Sequence, residues 1–382
     1  MAGTLTVDTI QSDSSYASTL NVASKINFTS GMQIGGQDTT FGGMRNRIIN
    51  GAMNIAQRNT SVSGITSTYD SYPAIDRFLN YQETTSAVCT VAQVADAPAG
   101  FVNSLKITVT TADASVAAGD RINIAHKIEG LNLLDFDFGL ATAKSFTVSF
   151  WVKSSVTGTY ALEIYNYGIS TASTATKTYT INSANTWEYK TVTFTGDTVY
   201  PHVKTNGASL AVWMWLMAGS NYNSTNGGGV FTAVGSGTQR AYGQTANIAA
   251  TVNNTFQMTG MQLETGSAAS PFEYRQYGTE LALCQRYFEI TGEITNSFLI
   301  QGYAASAGAQ RHPIYYTTRK RTTPTVTVSG GGTTGWSYSN GSGLFSAAAG
   351  VDTTRMEFNS AGAGTAFVYN NTGGYITSSA EL

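Results

Sequence analysis

An alternation of apolar and polar residues with a period of two is the feature that most restricts how this chain can fold. The stretch FTVSFWV at 146–152 carries an apolar residue at every second position, and LKITV at 105–109 does the same. Because successive side chains of a strand point to opposite faces of a sheet, both stretches are predicted to be antiparallel strands with one buried face. The stretch LAVWMWLMA at 210–218 is apolar on both faces and predicts a central strand covered from two sides.

Composition favours an all-β chain and argues against two classes of partner. Only 12% of the 382 residues are charged and 40 are glycine, so uncharged polar side chains must cover the surface. A net charge of -2 offers no basic face for nucleic acid. The longest apolar run, at 210–218, is far shorter than the roughly 20 residues of a membrane helix, so no membrane insertion is expected. The start, MAGTLTVDTI, lacks the features of a signal peptide, so we expect synthesis in a cytoplasm.

Residues 1–44 are predicted to form a β-stalk or an attachment segment. Short apolar pairs recur there, separated by Ser, Asp, Asn and Gly. So little apolar surface cannot offset the entropy of ordering the chain, and the segment therefore needs copies of itself or a docking partner. The pairs are Leu5 and Val7, Leu20 and Val22, Ile26 and Phe28, and Met32 and Ile34.

The rest of the chain divides into a sandwich, a helix and a second β-domain. Residues 45–275 predict a jelly-roll β-sandwich of about eight to ten strands, with a β-bulge where the apolar parity shifts at Gly260. Residues 276–290 predict a connecting helix, with Thr279 as its N-cap and Leu281, Cys284 and Phe288 on one face. Residues 291–382 predict a small distal β-domain, with strands at 298–303, 314–317, 325–328, 355–358 and 366–369.

No set of residues predicts an enzyme or a bound metal. Asp135 and Asp137 in LLDFDFG lie two apart, but an ordinary strand or turn explains them equally well. The histidines are scattered without metal-ligand spacing or a nearby nucleophile motif, at His126, His202 and His312. A structural calcium ion would have to use loop acids, and no known calcium-loop spacing supports one; the candidates are Asp76, Asp96, Asp113 and Asp120.

Several motifs between Asn46 and Phe288 resemble tail-fibre and related virion proteins of tailed bacteriophages. They are NRIINGAMNIAQR at 46–58, DRF at 76–78, SFTVSFWVKSSVTGTYALEI at 145–164, TWEYKTVTFTGDT at 186–198 and TFQMTGMQLETGSAASPFEYRQYGTELALCQRYF at 255–288. The family more often has Trp where this chain has Phe78. The resemblance implies a middle domain like the jelly roll of carbohydrate-binding modules, a homotrimer and a place in the virion.

The first and last of these motifs are predicted to close the sandwich rather than to form a ligand site. The first and last strands of a jelly roll can run side by side, and patterned apolar residues in strands usually mark core. Residues Ile48, Ile49, Met53 and Ile55 are therefore expected to pack near Met258, Met261 and Leu263.

Candidate glycan-binding residues lie in the distal domain, where aromatic side chains occur beside glycine-rich turns. Flat rings and a few placed hydrogen bonds recognise sugars. The candidates are Trp336, Tyr338, Tyr315, Tyr316, Arg311 and Arg319, with Lys320 and Arg321 completing a basic RKR stretch. The alternative is a solvated basic loop and a tyrosine pair in a trimer interface. Trp213 and Trp215 share a strand face, but their strand predicts that they are core.

Together these features predict a non-enzymatic tail fibre. Residues 1–44 would attach it to other virion proteins, its distal part would contact host-surface polysaccharide, and no cofactor is expected. The N-terminal pairs, together with a three-helix collar through Leu281, Cys284 and Phe288, would hold the trimer. The alternative is a structural component that binds no receptor, such as a capsid decoration, a head fibre or a spacer.

Overall fold

A computed structural model shows that the protein is all-β, as predicted. The structure describes residues 33–34, 37–38, 44–223, 229–235, 240–291, 298–304, 311–329, 336–337, 346–350, 352–359, 364–370 and 375–382. The predicted N-terminal pairs at 5–28 lie outside these residues, and β1 (Gln33–Ile34) pairs antiparallel with β2 (Gln37–Asp38). No helix within the described residues is long and apolar enough to span a bilayer.

Two antiparallel sheets face each other and form the sandwich. A seven-stranded sheet has the order β14-β11-β10-β13-β8-β5-β4, and a six-stranded sheet has the order β12-β9-β15-β7-β6-β3. The sandwich thus has more strands than the eight to ten expected, because short edge strands extend both sheets. The bounds are β3 (Ser61–Ile65), β4 (Tyr69–Ser71), β5 (Leu79–Glu83), β6 (Val88–Val94), β7 (Ser104–Thr111), β8 (Arg121–Glu129), β9 (Phe146–Ser154), β10 (Gly158–Asn166), β11 (Ser173–Ile181), β12 (Glu188–Phe194), β13 (Ala208–Ala218), β14 (Thr232–Ala233) and β15 (Thr255–Thr265).

The strand alternation is confirmed in the core between the sheets. Leu105, Ile107 and Val109 of β7 pack there, as do the alternate apolar residues of β9 and β13. The predicted bulge is also confirmed: the register between β15 and β9 shifts between Thr259 and Gln262. Gly260, inside the shift, has a φ of 62°, a conformation that glycine adopts at little cost.

Two short 3-10 helices interrupt the sandwich, at Gly130–Phe136 and Ile248–Ala250. The first separates Asp135 and Asp137, which the sequence allowed either on one strand face or in an ordinary turn. Asp135 lies in the helix, whereas Asp137 follows it with a left-handed φ of 57°. The Asp135 carboxylate accepts a hydrogen bond from Arg47 at 2.8 Å, and Phe136 and Phe138 are buried in the core.

The motif at 46–58 joins the last sandwich strand through turns rather than as a strand of its own. The Arg47 amide donates to the Leu263 carbonyl oxygen, and the Met261 amide donates to the Gly51 carbonyl oxygen, each at 2.9 Å. The closing role is therefore confirmed. Of the four apolar residues, Ile48 and Met53 enter the sandwich core as expected. Ile49 and Ile55 instead pack against the connecting helix, in a cluster with Cys284 and Tyr287.

The connecting helix, α1, spans Tyr277–Gln285, and its N-cap is Gln276 rather than Thr279. Phe288 belongs to the next strand and not to the helix. Cys284 is fully buried, and the Arg58 guanidinium lies 3.6 Å from the centroid of the largely buried Phe288 ring. These two side chains are thus covered within this chain, which corrects their predicted role in a collar between copies. Leu281 is partly buried beside the same cluster.

Three small sheets follow the helix, with orders β16-β24-β19, β17-β23-β20 and β18-β22-β21. Four of the five strands predicted after residue 291 are confirmed to within two residues, and the one predicted at 314–317 instead spans Arg311–Tyr315. Strand β24 lies between β16 and β19, so the chain returns to the helix before it reaches residue 382. The bounds are β16 (Phe288–Thr291), β17 (Phe298–Ala304), β18 (Arg311–Tyr315), β19 (Thr325–Ser329), β20 (Trp336–Ser337), β21 (Ser346–Gly350), β22 (Arg355–Asn359), β23 (Gly364–Asn370) and β24 (Tyr375–Ser379).

Candidate functional site

The outer face of the seven-stranded sheet carries a second apolar cluster, separate from the sandwich core. In β13 the alternation sends Val212 and Met214 into the core and Trp213 and Trp215 to the outer side. Both indoles are buried, as predicted for this strand. The second cover is not another sheet: Ala241 and the partly buried Tyr222, from the segment after β13, pack onto the cluster.

Half-buried tyrosines surround the two indoles on this face. Tyr81 of β5 meets Trp213 edge to face, with ring centroids 5.9 Å apart. Tyr165 of β10 meets Tyr167 at 4.9 Å, and Tyr222 lies 5.3 Å from Trp215. We call these six rings, those of Tyr81, Tyr165, Tyr167, Trp213, Trp215 and Tyr222, the aromatic face.

A buried ion pair fixes one half of the aromatic face. The fully buried Glu163 carboxylate accepts hydrogen bonds from Arg240 Nε at 2.7 Å, Trp215 Nε1 at 3.0 Å and Thr174 Oγ1 at 2.7 Å. The Arg240 guanidinium lies 4.9 Å from the Tyr165 centroid and 5.4 Å from the Trp213 centroid. Burial lowers the pKa of Arg240, but the Glu163 carboxylate raises it overall. The rings therefore pack against a hydrogen-bonded ion pair whose guanidinium group stays charged.

Among the residues that the structure describes, two polar groups on the aromatic face have no hydrogen-bond partner. The amide of Asn123 is buried, and both its oxygen and its nitrogen are unpartnered. Asn123 lies in β8 directly between Tyr81 of β5 and Trp215 of β13. Trp213 Nε1 is unpartnered as well. Leaving such groups unpaired costs about 1–3 kcal/mol each, and a buried bridging water would remove that cost.

Charged groups form the rim of the face. The Arg121 guanidinium lies 4.3 Å from the Tyr81 centroid and donates to the Tyr81 hydroxyl at 2.8 Å. Burial lowers the pKa of Lys127, and Asp70 partly opposes the shift. The pKa of the Tyr167 hydroxyl is raised, mainly by burial and by Tyr165, with a smaller contribution from Asp70. The face thus combines flat rings with hydrogen-bonding groups of positive and of negative charge.

No protein-family model matches the sequence, and no curated protein is significantly similar to it. Among solved structures, this chain is similar to the enzymatically active domain of bacteriophage CBA120 tailspike protein 4, with 12% identity and a TM-score of 0.31 over 58% of this chain and 21% of that domain. It therefore spans about a fifth of that domain.

Two further similar structures are carbohydrate-binding modules. A family 4 module has 14% identity and a TM-score of 0.28 over 57% of this chain and 99% of the module. A family 11 module from Clostridium thermocellum, in complex with a β-1,3-1,4-mixed-linked tetrasaccharide, has 9% identity and a TM-score of 0.26 over 56% of this chain and 98% of the module. These similarities are low, so the function of this chain must be argued from its own residues.

The predicted distal site is only partly within the described side chains. Tyr315 is 68% exposed, whereas Tyr316 is buried, and Arg319 Nε donates to Thr353 Oγ1 at 3.0 Å. Arg311 and Trp336 lie in β18 and β20, but their side chains, like all of Tyr338, are outside the described part of the chain.

The basic stretch at 319–321 is not a solvated loop, which corrects that alternative. Lys320 is buried, and its ammonium group donates to the Glu289 carboxylate at 2.5 Å. Arg321 donates to the carbonyl oxygens of Ala380 at 2.9 Å and of Asn206 at 3.0 Å. Lys320 therefore stabilises the β-domain internally, and Arg321 also connects this domain to the sandwich.

The four aspartates considered as calcium ligands accept hydrogen bonds from neighbouring residues or pair with a lysine. Within the described residues, no three or more His, Cys, Asp or Glu side chains form a group that could hold a metal ion. Asp76 accepts from the Gln57 amide at 2.9 Å, and Asp113 and Asp120 accept from Thr85 at 2.7 Å and Thr84 at 2.8 Å. Asp96 pairs with Lys153.

Sequence reasoning missed the aromatic face although one signal for it was present. A sandwich has only two sheets, so the second covered side of β13 had to face a loop or a ligand. The rings themselves come from strands far apart in the sequence, at Tyr81, Tyr165 and Trp213. Only the order β10-β13-β8-β5 places them together, and periodicity does not encode strand order.

Proposed function

We propose that this chain is a non-enzymatic bacteriophage virion protein that binds host-surface polysaccharide through the aromatic face. The observation that carries the proposal is the set of half-buried tyrosine rings that pack around Trp213 and Trp215 on the outer face of the seven-stranded sheet. The resemblance of the motifs at 46–288 to tail-fibre proteins supports the virion assignment. The aromatic face replaces the distal domain as the main contact, because its half-buried tyrosines pack against one and the same cluster.

The chemistry of the face suits a sugar chain. The apolar C–H faces of pyranose rings stack on tyrosine and tryptophan, and a few fixed donors and acceptors orient the hydroxyl groups. At the rim, Arg121 supplies a donor beside Tyr81, and Asp70, the cross-strand partner of Tyr81, supplies an acceptor. The low charge of the whole chain is compatible with a neutral or weakly charged polymer. Avidity from a homotrimer would strengthen weak single contacts.

The expected effect of removing two of the rings is weaker glycan binding without unfolding. The double variant Tyr81→Ala/Tyr165→Ala loses two ring contacts, each worth about 0.5–1.5 kcal/mol, and should therefore bind roughly 5- to 150-fold more weakly. Retardation in native gels that contain soluble surface polysaccharide measures the change. Tyr277→Ala is the matched control, because Tyr277 is 62% exposed on α1. Equal retardation of both variants would exclude the aromatic face.

Attachment to the virion is assigned to residues 1–44, as proposed from the apolar pairs. Deletion of this segment should leave a chain that folds and still binds polysaccharide, because the aromatic face lies wholly after residue 80. We expect the truncated chain to be absent from purified particles when it is expressed during infection without the full-length copy. Incorporation at the normal level would refute the attachment role, and loss of polysaccharide binding would show that the segment acts on the face.

A further inference from the structure

We propose that the outer face of the six-stranded sheet holds a second glycan-binding site, centred on Trp151 and Tyr189. The site lies on the opposite side of the sandwich from the aromatic face. Its ligand class rests on the function proposed above, whereas its location rests on independent contacts. We call it the second face and define it by Trp151, Trp187, Tyr189, Lys153 and Asp96.

The two central rings stand side by side on neighbouring strands. Tyr189 of β12 and Trp151 of β9 are direct cross-strand partners. Their ring centroids are 5.3 Å apart with an interplanar angle of 50°. Phe150, Val152 and Val192 point into the core, so the alternation turns Trp151 and Tyr189 outward. Tyr189 is 45% exposed, which leaves an open pair of tilted rings.

A fixed ion pair adjoins the rings. The Lys153 ammonium group contacts the Asp96 carboxylate and lies 5.1 Å from the Trp187 centroid. Trp187 Nε1 donates to Asp96 Oδ1 at 3.3 Å. The hydrogen bond from Lys153 lowers the pKa of Asp96, so the carboxylate stays ionised in neutral solution. An acceptor and a donor are therefore held together beside three aromatic rings, an arrangement that suits a pair of vicinal hydroxyl groups.

The third strand of this face, β15, places buried polar groups beneath and beside the rings. Thr259 of β15 is the cross-strand partner of Trp151, and its buried hydroxyl oxygen has no hydrogen-bond partner. Gln257 lies two residues earlier, 4% exposed, and accepts from the Ser104 hydroxyl at 3.2 Å. Rings on β12 and β9 thus border polar groups on β15 and β7. The Lys153–Asp96 ion pair beside the rings favours a hydroxyl-rich ligand over an apolar protein surface.

Sites on both outer faces would let one sandwich hold two polysaccharide chains, or two turns of one chain. A second contact made by an already bound protein occurs at high effective concentration. The virion would then adhere more tightly to a dense polysaccharide layer than a single shallow site allows.

The five tryptophans of the chain separate the candidate sites in one experiment. Trp213 and Trp215 lie in the aromatic face, Trp151 and Trp187 in the second face, and Trp336 in the C-terminal part. The full chain is labelled with 5-fluorotryptophan, and the fluorine resonances are assigned with single Trp→Phe variants. The probes are xylan, mixed-linkage β-glucan, dextran and the O-polysaccharide of lipopolysaccharide. We expect at least one probe to shift the Trp151 and Trp187 resonances saturably.

A ring-removal variant tests whether the shift arises at the second face. Tyr189→Ala should weaken the response of Trp151 and Trp187 at least fivefold and leave that of Trp213 unchanged, with Tyr277→Ala as the control. Shifts confined to Trp213 and Trp215 would overturn the second site and leave the proposed function intact. Shifts confined to Trp151 and Trp187 would support the second site and overturn the aromatic face. Shifts only at Trp336, or at no tryptophan, would overturn both.

Discussion

Replacing Glu381 with alanine is expected to lower the free energy of unfolding by about 3–5 kcal/mol, because the substitution leaves a buried charge without its partner. Arg77 is fully buried, and its guanidinium contacts the Glu381 carboxylate. It also donates to the Lys127 carbonyl oxygen at 2.7 Å and lies 3.5 Å from the Tyr287 centroid. Because Arg77 is fully buried, a water molecule in place of the Glu381 carboxylate would leave the protein much less stable.

Denaturant-induced unfolding measures this change, with Asp135→Ala as the matched control. Asp135 also pairs with an arginine, Arg47, but its side chain is 41% exposed. Such exposed pairs contribute about 0–1 kcal/mol, so the control should unfold almost like the wild type. A loss below about 1 kcal/mol in Glu381→Ala would show that Arg77 finds another partner. The last residues of the chain would then not lock the C-terminal part onto the sandwich.

The second large effect is expected at Gly51, where alanine should destabilise the sandwich by about 3 kcal/mol. A Cβ atom at this position would overlap the Met261 carbonyl oxygen, which belongs to the backbone of β15. Relief requires a shift of the strand or of the 46–58 motif, and overpacking of this kind typically costs about 1–3 kcal/mol or more. The hydrogen bond from the Met261 amide to the Gly51 carbonyl, at 2.9 Å, would be strained as well.

Gly278 provides the control for this substitution. It lies in the first turn of α1, and an added Cβ meets no atom within 4 Å. Alanine there should be neutral, or should stabilise the helix by up to about 1 kcal/mol. Thermal unfolding of the two variants under the same conditions compares them. Equal midpoints for Gly51→Ala and Gly278→Ala would mean that the motif does not close the sandwich as the contacts indicate.

The strands could be predicted from the sequence because their information is local. Alternation at 105–109 and 146–152 identifies one buried face wherever the partner strand lies. The bulge at Gly260 was equally visible as a change of parity. The motif at 46–58 was predicted to be a strand, and its turns were missed because side chains set them. Asn50 has a φ of 61°, and its side-chain amide donates to the carbonyl oxygens of Ile55 at 2.8 Å and Asp76 at 3.0 Å.

The contacts between distant segments could not be predicted in the same way. Glu289 and Lys320 form a buried pair across 31 residues, whereas the RKR stretch at 319–321 was interpreted either as part of a binding site or as a solvated basic loop. The spacing of Phe288 from Cys284 predicted that it lies in the helix, but it follows the end of α1 and pairs with β24. The aromatic face depends on strand order for the same reason. Local patterns state which face of an element is apolar, and they leave open what covers it.

Hydroxyl-radical footprinting of the full chain, with and without host-surface polysaccharide, tests the central claim most directly. Radicals modify exposed tyrosines and tryptophans, and mass spectrometry locates the protected residues. The proposed function predicts that polysaccharide protects Tyr81, Tyr165 and Tyr167, while Tyr277 on α1 is modified at an unchanged rate. Protection only at Tyr315 and its neighbours would return the receptor contact to the distal domain. No protection by any surface polysaccharide would contradict glycan binding and favour a structural spacer.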